Sequence, residues 1–150
     1  METAKLFVES AGVEGVESVA NRLLYDGTMQ PSGSKLFRKI GYAPLRDYVV
    51  CDDENDRQIA RNVLGSYAID VTTLMMDTLE QDLAAKGIGH ETTTLWMIGH
   101  AIYLPAVALH VASMVHVDDS DICTIVDSHV AETEGFIVDV EEKKVISLKT

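Results

Sequence analysis

Residues Thr92–Val117 read TTTLWMIGHAIYLPAVALHVASMVHV, a run without a single Asp, Glu, Lys or Arg. A spanning helix needs about 20 mostly apolar residues, so the length alone admits a membrane segment at 92–117. The flanks point elsewhere. His90-Glu91 precedes the run and Asp118-Asp119-Ser120-Asp121 follows it, so neither end has the Lys/Arg excess that orients a helix in a bilayer. Gly99, Pro105, Ser113, the threonine triplet and the imidazoles of His100, His110 and His116 would each want an internal partner in lipid. The run is therefore expected to be a buried helical core, and the rest of the chain must supply what covers it.

The segment upstream fits that demand. After Asp52-Asp53-Glu54-Asn55-Asp56, which offers N-cap side chains and negative charge for a helix N-terminus, Ile59, Ala60, Val63, Leu64, Tyr67, Ala68, Val71, Leu74, Met75, Leu79 and Leu83 keep helical spacing. This predicts one long helix from about Asp56 to Ala85, about 45 Å at 1.5 Å per residue. Gly87-Ile88-Gly89 then permits a reversal, and a second helix is expected from about Glu91 to Tyr103. Pro105 either kinks that helix or opens a third. Asp118–Asp121 should cap a fourth, with Ile122, Ile125, Val126 and Val130 on one face and Gly135 as its end. Residues 136–149, FIVDVEEKKVISLK, read as a β-hairpin closed by a charged turn.

Working back toward the N-terminus, Val13, Val16, Val19, Ala20, Leu23 and Leu24 outline an amphipathic helix from near Ser10 to Asp26-Gly27. Thr28–Ser34 has the content of a loop. Ser32 or Ser34 then caps a short basic helix, Lys35–Ile40, ending at Gly41, and Leu45–Cys51 has the composition of a strand. The fold class expected is α+β: a mixed N-terminal helix and strand segment, a central helical bundle with one long helix, and the hairpin. Two segments, 1–52 and 53–150, mark the change of character, and they can equally form one continuous domain.

The stretch SKLFRKIGYAPLRDYVV resembles the late part of the GNAT N-acetyltransferases, in which a short helix with an L-[YF]-x-x-[LI]-G-[FY] pattern runs into a strand. The match lies at Leu36, Phe37, Ile40, Gly41 and Tyr42. The resemblance covers residues 3–51 and implies that Val16–Leu24 is extended, against the helical periodicity. Were the chain acetyltransferase-like, Ser34, Phe37 and Tyr42 would stand near an acetyl-CoA site. The family's pyrophosphate loop, an anion site at a helix N-terminus, would fall before Met1, and Lys86-Gly87-Ile88-Gly89 is in the wrong context to replace it. Phe37 occupies the position where the family often has a proton-donating Tyr.

Other chemistry finds little support. His90, His100, His110, His116 and His129, with Asp118, Asp119, Asp121, Asp127 and Glu132, are suitable ligand types for zinc or iron. Their spacing is not: His100 and His110 lie about 80° apart and nearly three turns along an ideal helix. Neither HExxH nor a paired HxH occurs. Core or capping roles are the simpler reading. Cys51 and Cys123 have no CxxC spacing and read as free thiols in a reducing compartment. No catalytic group, metal or cofactor is expected.

The chain has 150 residues, 47% hydrophobic and 24% charged, with a formal charge of -12. That balance predicts a globular protein and works against nucleic acid or anionic lipid as a partner. Arg22, Lys35, Arg38, Lys39, Arg46, Arg57 and Arg61 crowd the first part, whereas between Asn62 and Glu142 the only basic residue is Lys86. METAKLFVES lacks a signal-peptide pattern, so the cytoplasm, or an assembly formed there, is the default location. Met75, Trp96, Tyr103 and Met114 are candidate interface residues, because Met and large aromatics are enriched at contacts. The leading expectation is a non-enzymatic structural or adaptor subunit acting by self-association or a protein partner, as a viral particle component would. An N-acetyltransferase-like protein and an acidic inhibitor of a nucleic-acid-binding protein are the alternatives.

Overall fold

The computed structural model describes residues 22–25, 31–86, 94–99, 102–131 and 134–149. Helix α1 is Arg22–Tyr25, α2 Pro31–Ile40, α3 Leu45–Val49, α4 Glu54–Lys86, α5 Tyr103–Val115 and α6 Asp119–Asp127. Strands β1, Gly135–Asp139, and β2, Lys144–Leu148, follow. The architecture is α+β, helical at its centre, with an antiparallel hairpin at its C-terminal end. The helix expected over Ser10–Gly27 lies outside the described residues except for α1, as does the reversal at Gly87–Gly89.

The long helix forms almost where its periodicity puts it. Asp53 fixes its start: Oδ1 accepts the N–H groups of Asn55 and Asp56 at 2.9 and 3.1 Å, while the Asp53 carbonyl takes the N–H of Arg57. Arg57 turns its guanidinium back onto the Cys51 and Asp52 carbonyls, closing the preceding loop. Along one side α4 buries Ala60, Leu64, Tyr67, Ala68 and Val71. Against them pack Leu36 of α2, Leu45 and Tyr48 of α3, and Tyr103, Ala106 and Val107 of α5, so one core draws on both sides of residue 52. Tyr67 and Tyr103 meet with ring centroids 4.5 Å apart.

Helix α2 begins earlier than expected. Pro31 takes its first position, where a missing N–H costs nothing, so Ser32 and Ser34 lie inside the helix instead of capping it. Gly33 lies close against α4: a Cβ there would sit 3.0 Å from Val63 Cγ1, tight enough that the valine would have to give. At the other end Gly41 enters the left-handed region at φ 78° and donates to the Phe37 carbonyl at 2.7 Å.

Three further sequence expectations are corrected. Leu45–Cys51 is not a strand; α3 occupies Leu45–Val49. Its buried residues, Leu45 and Tyr48, are three apart, which a helix places on one side and a strand would send to opposite faces. Next, the helix expected from Glu91 to Tyr103 is absent over 94–99, which is irregular, and α5 opens at Tyr103 with Pro105 in its first turn. Gly99 passes close to that opening, 3.3 Å separating a Cβ built there from Leu104 Cδ2. Finally, α6 stops at Asp127 rather than near Gly135. Ser128 turns extended at ψ 131°, and Gly135 instead starts β1.

Candidate functional site

The hairpin joins the helices through one face and one edge. Its register pairs Gly135 with Leu148, Phe136 with Ser147, Ile137 with Ile146, Val138 with Val145 and Asp139 with Lys144. Side chains alternate across a strand, so Phe136, Val138, Val145 and Ser147 share the half-buried face. The opposite face carries Ile137, 46% exposed, directly across from Ile146, 52% exposed, with Leu148 at 43% diagonal to Ile137. Val140, 58% exposed, follows β1 in the turn. That turn is built by Asp139, whose Oδ1 accepts the N–H groups of Glu141 and Glu142, and by Lys143 at φ 53°. At the edge of β2, the Asp121 carboxylate of α6 accepts the Val145 N–H at 2.8 Å.

Elsewhere Lys39, Arg46 and Arg57 pair with carboxylates. On α2 the Lys39 ammonium binds Asp56 and lies 3.9 Å from Asp53; the hydrogen bond to Asp56 raises its pKa above the ordinary lysine value. Asp53 is held below the usual carboxylate range, chiefly by the Asp56 N–H. These residues flank an open groove of about 370 Å³ lined by Ser32, Lys35, Leu36, Lys39, Asn55, Asp56 and Ile59. Arg46 of α3 grips Asp127 at the end of α6, donating from Nε to one carboxylate oxygen and from Nη2 to the other, the latter at 2.8 Å. It is thereby held in its charged form, its pKa raised first by that hydrogen bond.

The sequence-derived candidates separate. Tyr103 is 3% exposed and Met75 packs on the core, so both serve packing within this chain. Trp96, in the irregular 94–99 segment, and Met114, on α5, are exposed. Of the residues that the acetyltransferase resemblance would involve, Phe37 and Tyr42 meet edge-on at 5.1 Å, and Ser34 is half-buried on α2. His116 is the left-handed residue that ends α5, His110 is half-buried on that helix, and His129 is exposed beyond α6. His90 and His100 lie outside the described residues. Among the described residues, no three His, Cys, Asp or Glu side chains are disposed to hold a metal ion, and no helix is long and apolar enough to cross a membrane.

Sequence reasoning passed over Ile137, Ile146 and Leu148 as surface residues, although the signal was there. FIVDV and VISLK are apolar on both faces, whereas a two-stranded hairpin lying on helices can bury just one. Comparison with protein-family models, with curated proteins and with solved structures finds no match to this chain.

Proposed function

We propose that the chain is a structural subunit that acts by association with further copies of itself, and that the C-terminal hairpin is its contact element. The carrying observation is the Ile137–Ile146 pair, with Leu148 beside it, on a face that no part of the described chain covers. Contiguous apolar surface of this kind marks contact sites in folded proteins. Lys39 of α2, Arg46 of α3 and Arg57 at the start of α4 are by contrast each engaged with a carboxylate within the fold, which supports assembly over chemistry as the role of this molecule.

Size-exclusion chromatography with light scattering on the full chain tests this. An oligomer is expected at micromolar concentration, and Ile137→Lys should shift it to monomer with an unchanged circular dichroism spectrum. A wild-type monomer at every accessible concentration overturns the proposal. Calorimetric titration with acetyl-CoA addresses the acetyltransferase-like alternative: micromolar binding would replace the structural reading with that one.

A further inference from the structure

The two edges of the hairpin differ. In an antiparallel pair, residues alternate between those whose N–H and C=O meet the partner strand and those whose groups point away. The Val145 N–H leaves the hairpin to reach Asp121, so Val145 and Val138 form a pair without ladder bonds, and by alternation so do Ser147 and Phe136. The outward backbone groups are therefore those of Val145 and Ser147 on β2, and of Phe136 and Val138 on β1. Helix α6 occupies the β2 edge through Asp121. Among the described residues, nothing pairs with the outward groups of Phe136 and Val138. An edge strand left open this way is a template for another strand.

The sequence of β1, GFIVD, favours its own copy as that strand. Laid antiparallel about a two-fold axis at Ile137, Phe136 of each copy faces Val138 of the other as a hydrogen-bonded pair, giving four N–H···O=C bonds. Ile137 then faces the second copy's Ile137, and Asp139, the one charge in the strand, faces Gly135. Moving the two-fold one residue toward the turn, to Val138, sets Asp139 against Ile137 and so a charge against an aliphatic side chain, and moving it on to Asp139 opposes Asp139 to Asp139, a like-charge pair that destabilises a sheet. We infer that two copies of this chain join β1 to β1 in this register, making a four-stranded sheet. One aliphatic row, Ile146–Ile137 and its symmetry mate, then crosses all four strands.

The inference rests on the self-association proposed above, and cross-linking separates the two. In full-length chain carrying Cys51→Ala and Cys123→Ala, Ile137→Cys and Ile146→Cys are oxidised mildly and run on non-reducing gels. Directly opposed residues in such a pair have Cα atoms about 4.5 Å apart, within disulfide reach. Residues 146 of the two copies would be about 14 Å apart, three strand spacings, and out of reach. Covalent dimer from Ile137→Cys and none from Ile146→Cys is expected. Equal cross-linking at both positions means that hairpin faces stack, and failure at 137 in a chain that light scattering finds dimeric means another contact; either overturns strand pairing and leaves association standing. A monomeric chain overturns both. Independently of cysteine, Val138→Pro deletes an outward N–H of β1 and should give monomer, whereas Ser147→Pro deletes one of β2 and should leave the dimer; a dimer that survives Val138→Pro with a native circular dichroism spectrum overturns the pairing.

Discussion

The Thr72 hydroxyl is buried in the middle of α4 and has no hydrogen-bond partner among the described residues. Its neighbours Thr73 and Thr78 bond to the carbonyls four residues back, at Ile69 and Leu74. An unpaired buried hydroxyl costs about 1–3 kcal/mol relative to water. Thr72→Val keeps the shape and removes that cost, so it should stabilise the fold by about 1 kcal/mol, read as a rise of roughly 2–4 °C in Tm. Tyr48 makes the opposite case. Its hydroxyl donates to the Gly41 carbonyl, tying α3 to the end of α2, and burial pushes its pKa up from 10.0 to about 12. Because the folded state prefers the protonated phenol, this contribution is complete below pH 10 and is lost as pH rises from 10 toward 12. Urea titrations between pH 8 and 12 should show stability falling over that window in wild type and falling less in Tyr48→Phe. At pH 7 the same variant should be weaker by about 1 kcal/mol, from the lost hydrogen bond. Neither position was legible in the sequence, where Thr72 is one more residue of a helical pattern and Tyr48 belongs to a stretch of strand-like composition.

At the scale of elements, α4 was readable because two signals agreed: apolar residues at helical spacing, and an aspartate run before them that supplies the Asp53 cap. The α3 segment was misread because composition stood in for periodicity; Val49 and Val50 suggest a strand, while burial of Leu45 and Tyr48 against α4 decides for a helix. The end of α5 follows another rule. The Val117 N–H reaches the Ala112 carbonyl at 3.2 Å and the His116 N–H reaches Ser113, a Schellman ending whose left-handed position, φ 59°, is filled by histidine. Glycine would adopt that conformation without the Cβ clash that costs an L-residue roughly 1–2 kcal/mol. His116→Gly should therefore raise stability by about 1 kcal/mol in denaturant unfolding, with the m-value unchanged. His116→Val, β-branched at a left-handed position, should lower it.

For the whole molecule, the sequence disclosed the acidic imbalance and the helical centre but not which apolar residues stay outside, because exposure depends on how many faces each element finds covered. Ile137 and Tyr103 are both apolar residues in regular elements, yet one is 46% exposed and the other 3%. The charge has a consequence for association that separates like from unlike partners. Each copy carries -12, with Lys86 the single basic residue between Asn62 and Glu142, so two copies repel at long range. The contact proposed for them is aliphatic and backbone-paired, and it gains little from ionic attraction. Added salt shortens the Debye length from about 30 Å at 0.01 M to about 8 Å at 0.15 M, which screens the repulsion and leaves the contact intact. The dimerisation Kd, measured by sedimentation equilibrium, should therefore fall several-fold between those salt concentrations. A chain that instead used its acidic surface to hold a basic protein would lose affinity over the same range, because screening then weakens the attraction itself. A Kd that rises with salt would turn the reading from self-assembly to capture of a cationic partner.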